Sequence, residues 1–266
     1  MSSETWREEP RLRPIVLSVC LLLLPLAVGC GGPNEETTLL LYSGAGIRPP
    51  VEEIADAFGR RHDVTVECDF AGSEILLARI KLSGAGDVYM PGDVHYIEQA
   101  EQEGLIAGSD TACYFIPVIL VQKGNPKNIN SLSDLIKPDI RVGLGDPQAC
   151  AIGRKAAKIF AKNGISEDDL AENVEFRALT VNDLGDKVKL GSLDAVIVWD
   201  AVAAYYADST DVVTIPPEKN VISTVPVAVL NSSENPVLAN KLRAFITSEE
   251  GRAIFKKHHY SLSLPE

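Results

Sequence analysis

Four short segments rich in small residues each join a run that suits a β-strand to the start of a helix. They are segments 44–46, 72–73, 151–153 and 181–182. Residues with little side chain let a ligand approach the backbone, and the first amides of a helix have no partner inside the helix. A helix N-terminus also carries roughly half a positive charge. The pattern therefore predicts a site that binds an anion through N–H and O–H donors.

Alternating strand and helix patterns surround these segments. Segments 39–42, 64–70 and 87–90 have the apolar or alternating pattern of strands, and an amphipathic helix follows each of them. Pro49 and Pro50 suit the start of the first helix, and Ser73 is the expected N-cap of the second. The repeated order predicts an α/β fold with mostly parallel sheets and helices on both faces. In such sheets ligands bind beyond the carboxyl ends of the strands, so the four segments are expected to face one cleft.

Two long apolar strands, at 114–122 and 221–230, flank the second half of the chain. Because each half is rich in strand–helix units, we expect these strands to be the two crossings between two lobes. Lobe 1 is expected to hold residues 39–115 and 224–266, and lobe 2 residues 116–223. One long helix, beginning at Pro236, is expected to close the chain.

The composition narrows the class of ligand. The 266 residues carry a formal net charge of −12, which argues against nucleic acid as a partner, because binding to phosphates needs a basic face. A bound anion would then be held by local dipoles and hydrogen bonds rather than by overall charge. No Ser–His–acid set, G-x-S-x-G motif or metal-ligand spacing is apparent, so we predict no catalytic residue, no metal site and no cofactor.

The N-terminus has the features of a targeting segment. Arg7, Arg11 and Arg13 precede an apolar run at 15–28, which is too short for a comfortable membrane span. The run ends in LAVGCGG, which resembles the lipobox of bacterial lipoproteins. This resemblance implies a signal peptide at 1–29, a lipidated Cys30 that anchors the protein to a membrane, and a tether at 30–38. An uncleaved N-terminal anchor is the alternative, and both place the folded part outside the cytoplasm.

Three cysteines remain beyond this segment: Cys68, Cys113 and Cys150. They are widely spaced, and we expect small buried hydrophobic side chains. One disulfide among them is left open.

Beyond Leu39 the sequence resembles the substrate-binding proteins of molybdate ABC importers, which are periplasmic or lipid-anchored type II binding proteins. The resemblance covers about residues 39–260 and rests on the segments YSGAG, FAGSEILLARI, GAGDVYMPGD, VGLGDPQACAIGR, TVNDLGDKV, DAVIVWDA and VISTVPVAVL. It implies a two-lobed periplasmic binding protein type II fold with the ligand cleft between the lobes. It also implies a monomer that captures molybdate or tungstate and delivers it to the importer's permease, with the metal present only as the oxyanion.

The same resemblance implies which residues bind. In that family two serine hydroxyls, amides at helix starts and a tyrosine hydroxyl hold the oxyanion. The first serine position falls at Gly46 or, alternatively, at Ser43, and the tyrosine position falls at Trp199. Carried over, the ligand-binding residues are Ser43, Gly44, Gly46, Ser73, Ile152, Gly153, Val181 and Trp199.

Two of these positions depart from the family pattern. Gly46 can offer only its amide, and Trp199 only one indole N–H. The anion is therefore open within the oxyanion class, with sulfate, phosphate or an organic acid as alternatives. An organic acid would call for an arginine clamp, for which Arg48 and Arg79 are candidates. A ligand-sensing domain and an extracytoplasmic hydrolase are the competing functions.

Overall fold

Two five-stranded sheets form the framework of the protein. The structure, a computed structural model, describes residues 37–264. The strands are β1 Thr38–Gly44, β2 Thr65–Ala71, β3 Val88–Met90, β4 Ile106–Phe115, β5 Pro117–Gln122, β6 Val142–Gly145, β7 Val174–Ala178, β8 Ala195–Trp199, β9 Thr210–Thr214 and β10 Ser223–Leu230. The helices are α1 Arg48–His62, α2 Ser73–Ser83, α3 Val94–Gln102, α4 Ala151–Lys162, α5 Glu167–Leu170, α6 Val181–Lys189, α7 Asp200–Ala204, α8 Pro236–Thr247 and α9 Glu249–Lys257. Short 3₁₀ helices occupy Ala45–Ile47, Leu132–Ile136 and Pro217–Lys219.

The two sheets have the same internal plan. Their strand orders are β2-β1-β3-β10-β4 and β7-β6-β8-β5-β9. In each sheet four strands run in one direction, and the fourth strand of the order, β10 or β5, runs against its neighbours. This confirms the predicted α/β class with two lobes and mostly parallel sheets. Each oppositely directed strand is the one that follows a crossing between the sheets.

The first crossing corrects the prediction of one continuous strand at 114–122. The chain forms β4 in the first sheet, then turns at Ile116 and forms β5 in the second. The Ile116 amide donates to Asp200 Oδ1 at 3.2 Å, and the Asp200 amide donates to the Ile116 carbonyl at 2.8 Å. The N–H and the C=O of Ile116 therefore both bond to Asp200 in lobe 2. Neither group is left to extend the pairing of β4 in the first sheet. An apolar run alone does not show where a chain changes sheets.

Two helix predictions also need correction. The N-cap of α2 is Gly72, and Ser73 is already the first helical residue, without a side-chain bond to its own helix. The long C-terminal helix is two helices, because Ser248 interrupts it and caps α9 by accepting a hydrogen bond from the Gly251 amide at 3.2 Å. The cap of α6 is Thr180.

The described cysteines Cys68, Cys113 and Cys150 are free thiols, two of them buried. None of the helices within residues 37–264 is long and apolar enough to cross a membrane. The predicted signal peptide, Cys30 and most of the tether lie outside the described residues, so those predictions and the exact lobe bounds stay predictions.

Candidate functional site

A small cavity lies between the carboxyl ends of the strands of the two lobes. Its volume is ≈ 20 Å³ for the centre of a water-sized sphere. That is room for about one small group. None of the residues around it carries a charge. The lining residues are Gly44, Ala45, Gly46, Ala71, Gly72, Ser73, Gly92, Phe115, Cys150, Ala151, Ile152, Thr180, Val181 and Trp199.

Four helix starts converge on this cavity, two from each lobe. They are the 3₁₀ turn after Gly44 and the first residues of α2, α4 and α6. Thr180 satisfies one amide of α6 itself, since its hydroxyl oxygen accepts from the Asp183 amide at 3.4 Å. The earlier Val181 amide has no hydrogen-bond partner among residues 37–264, and Val181 lines the cavity. No side chain caps α4, so the amides of Ala151 and Ile152 are left free in the same way.

The Ser73 hydroxyl is oriented as a donor. Its Oγ accepts a hydrogen bond from the Gly92 amide at 3.0 Å, and the residue is buried. A hydroxyl that accepts one bond still has its own proton to give. No acceptor for that proton lies among residues 37–264, so Ser73 is poised to donate into the cavity.

Trp199 fills the space next to Gly46. A Cβ built on Gly46 would come within 3.1 Å of Cδ1 and 3.2 Å of Nε1 of the indole. The indole is stacked on Phe115, with ring centroids 4.5 Å apart and planes inclined by 5°. Tyr260 fixes the turn from the other side, because its hydroxyl donates to the Gly46 carbonyl. The indole N–H has no acceptor among the described residues, and therefore remains available as a donor.

Two of the predicted residues do not line the cavity. Ser43 is fully buried in β1, and its hydroxyl has no partner among residues 37–264. Gly153 packs against the backbone at the end of β6 instead, where an added Cβ would be 2.6 Å from the Gly145 carbonyl oxygen and 2.5 Å from that of Asp146. It borders a separate groove on lobe 2. The structure brings together the other six: Gly44, Gly46, Ser73, Ile152, Val181 and Trp199.

Several lining residues were not predicted. Ala45, Gly72 and Ala151 belong to the predicted segments, and Ala71, Cys150 and Thr180 are their immediate neighbours. A position within or next to a predicted segment could therefore have identified these lining residues. Gly92 and Phe115 come from other parts of the chain, the turn after β3 and the end of β4, and no local pattern marks them.

The lobes touch each other around the cavity. The Glu74 amide of lobe 1 donates to the Ala149 carbonyl of lobe 2 at 3.3 Å. A Cβ on Gly72 would be 2.4 Å from that oxygen and 2.6 Å from the Leu179 carbonyl oxygen. Only glycine permits this approach, so the structure represents a closed arrangement of the lobes.

The charged and titratable groups nearby do not add charge to the cavity. Burial raises the pKa of the Cys150 thiol to about 11, so it stays protonated near neutral pH. Arg48 pairs with Glu52 at 3.3 Å and lies over the Phe70 ring, and Arg79 pairs with Asp69. Neither arginine lines the cavity. Among residues 37–264 no group of three or more His, Cys, Asp or Glu side chains is placed to hold a metal ion.

A two-lobed α/β fold with a closed, charge-neutral and donor-rich cavity between the lobes defines a solute-binding protein. Residues 39–261 match the family described as bacterial extracellular solute-binding protein, and the chain belongs to this family.

Similar proteins are consistent with this assignment. The molybdate-binding protein ModA of Mycobacterium tuberculosis (strain H37Rv) is 27% identical over 255 residues, which cover 91% of this chain and 95% of ModA. The periplasmic molybdate-binding protein of Azotobacter vinelandii has the same fold, with a TM-score of 0.72 at 18% identity over 86% of this chain and 100% of its own. The sulfate-binding protein SubI of M. tuberculosis H37Rv gives a TM-score of 0.76 at 20% identity over 86% and 88%. The matches confirm the resemblance to the substrate-binding proteins of molybdate ABC importers.

Proposed function

We propose that this protein captures molybdate or tungstate between its lobes and delivers it to the permease of an ABC importer. The observation that carries the proposal is the cavity itself, where four helix starts, the Ser73 hydroxyl and the Trp199 indole N–H converge without a charged side chain. Several helix dipoles together can hold a dianion without a lysine or arginine. The ligand-binding residues we propose are Gly44, Gly46, Ser73, Ile152, Val181 and Trp199.

The donors select against some anions. A protonated phosphate needs an acceptor for its proton, and the cavity offers chiefly N–H and O–H donors. An organic acid would call for an arginine clamp, and the candidates Arg48 and Arg79 pair with Glu52 and Asp69 instead. Sulfate is the second candidate, because the same neutral donors suit any tetrahedral dianion. The sulfate-binding protein SubI has the same fold as this chain, which supports sulfate as the second candidate.

The test is a thermal melt of the purified protein titrated with molybdate, tungstate, sulfate, phosphate and a small carboxylate. A ligand at 100 times its dissociation constant adds about 2.7 kcal/mol to the stability, which gives a readable shift. A shift with molybdate and tungstate but not sulfate is the expected result. A shift with sulfate alone would support the same binding site but identify sulfate as the transported anion. No shift with any anion would overturn the proposal.

The remaining features follow from the same role. We infer a transport protein and not an enzyme, acting as a monomer, with residues 1–29 removed and Cys30 lipidated to hold the lobes outside the cytoplasm. Labelling with a fatty-acid analogue should mark the wild-type protein and leave Cys30→Ser unmarked. Equal labelling of both would refute the anchor without affecting the binding site.

A further inference from the structure

A buried ion pair joins the two lobes beside the cavity. Lys155 Nζ lies 2.8 Å from Asp93 Oδ2, and the two residues are 7% and 3% exposed. Lys155 belongs to α4 in lobe 2, and Asp93 caps α3 in lobe 1. Lysine and aspartate are almost never this deeply buried unless they are paired, so each charge depends on the other lobe.

Both members of the pair have further hydrogen-bond partners. Asp93 Oδ1 accepts from the His95 amide at 3.0 Å, and the Ser223 hydroxyl lies against Asp93 Oδ2. Lys155 Nζ also donates to the Ile222 carbonyl at 3.1 Å. Residues 222 and 223 end the second crossing between the sheets, so the pair binds both lobes and the strand that connects them.

The pair also links the donors of the two lobes. On one side, α4 presents Ala151 and Ile152 to the cavity one turn before Lys155. On the other side, Asp93 follows Gly92, whose amide donates to the Ser73 hydroxyl and whose carbonyl lies 2.8 Å from Ser223 Oγ. The ionic contact thereby adds to the Glu74–Ala149 hydrogen bond in setting the distance between the α4 amides and the Ser73 hydroxyl.

We propose that Lys155 and Asp93 form a latch that couples lobe closure to the placement of the Ser73 hydroxyl on the ligand. The inference rests on the proposed function. When the lobes are apart, water solvates both charges, so the pair contributes little to the open protein. In the closed protein the charges are desolvated and must meet in good geometry. The latch then acts only on the state that a bound ligand selects, as a positioning pair that does not touch the ligand.

The test compares Lys155→Met with Lys162→Met. Lys162 lies on the same helix and donates to the Asn220 carbonyl at 2.8 Å, but within residues 37–264 it forms no ion pair with lobe 1. Molybdate and tungstate are mixed with each purified variant in a stopped-flow instrument, and dissociation rates are read from Trp199 fluorescence. Ligand-free melting temperatures are recorded for the same samples.

We expect Lys155→Met to release the oxyanion at least 10-fold faster than wild type, while its ligand-free melting temperature matches that of Lys162→Met. Lys155→Arg, which retains the charge, should recover part of the loss. An unchanged dissociation rate would overturn the proposed latch. A Lys155→Met protein that is unstable or unfolded without ligand would also overturn it, because the pair would then stabilise the fold itself. A wild-type protein that responds to no oxyanion would refute the proposed function instead.

Discussion

The Trp199 indole occupies the space into which a side chain on residue 46 would project. Its Cδ1 and Nε1 lie 3.1 and 3.2 Å from the position of a Cβ on Gly46. The resemblance to molybdate-binding proteins implies a tyrosine position at Trp199 and a serine position at Gly46 or, alternatively, at Ser43. Val181 Cγ1 lies 3.0 Å from the same position, so a side chain at residue 46 would require both neighbours to move.

Gly46→Ser should weaken binding of molybdate by about 10-fold to 100-fold, because overpacking of this order costs about 1–3 kcal/mol. The double variant Gly46→Ser/Trp199→Tyr also replaces the indole with a smaller ring and should recover most of the affinity. Isothermal titration calorimetry measures both.

Gly108→Ser is the matched control, because no heavy atom lies within 4 Å of a Cβ at Gly108. Its affinity should equal that of wild type. If Gly46→Ser bound as well as Gly108→Ser, the steric coupling of residues 46 and 199 would be refuted.

Trp199→Phe removes the indole N–H and keeps an aromatic ring against Phe115. A hydrogen bond to a charged ligand contributes about 1.5–3 kcal/mol, so we expect affinity to fall by about 10-fold to 100-fold. Calorimetry gives the affinity, and the ligand-free melting temperature reports the separate loss of packing. Full affinity in this variant would show that the indole N–H does not bind the anion.

Ser73→Ala should lower both affinity and stability. It removes a donor from the cavity and leaves the buried Gly92 amide without its acceptor, which costs about 1–3 kcal/mol. Denaturant unfolding without ligand measures the second effect. Ser83→Ala on the exposed end of the same helix is the control, and its binding should match that of wild type.

A pH series tests the core of lobe 2. Burial opposes ionisation of Asp194, but hydrogen bonds and charge from Arg141 hold the pKa of this carboxyl below its usual 3.8. A carboxyl whose pKa is lower in the folded than in the unfolded protein stabilises the folded state at pH values above the unfolded-state pKa. This stabilisation is lost as the pH falls through the folded-state pKa. Wild type should therefore exceed Asp194→Asn by about 1–3 kcal/mol near pH 7. The difference should shrink below about pH 4, and a constant difference would contradict the assignment.

Much of the fold could be predicted because local pattern and tertiary structure agree. The apolar runs at β1 and β8, the prolines at the start of α1 and the capping box of Thr180 each have a local physical cause. The change of sheet at Ile116 could not be predicted, because a buried strand in either sheet needs the same apolar residues. The break at Ser248 was hidden by helical periodicity on both sides.

The candidate site was partly predictable for the same reason. Helix starts carry their own signals, and Ser73 lies at one of them. Its bond to Gly92 joins residues 19 positions apart, and the stack of Phe115 on Trp199 joins two lobes. Such contacts depend on the three-dimensional arrangement, which no spacing along the chain expresses.

The small size of the cavity has a consequence for how an anion enters it. An oxyanion bound in this small space exchanges hydration water for the N–H and O–H donors of the protein. At equal charge a larger ion holds its hydration water less tightly, because its charge is spread over a greater radius. Dehydration alone therefore favours molybdate and tungstate over sulfate, before any donor in the cavity forms a hydrogen bond.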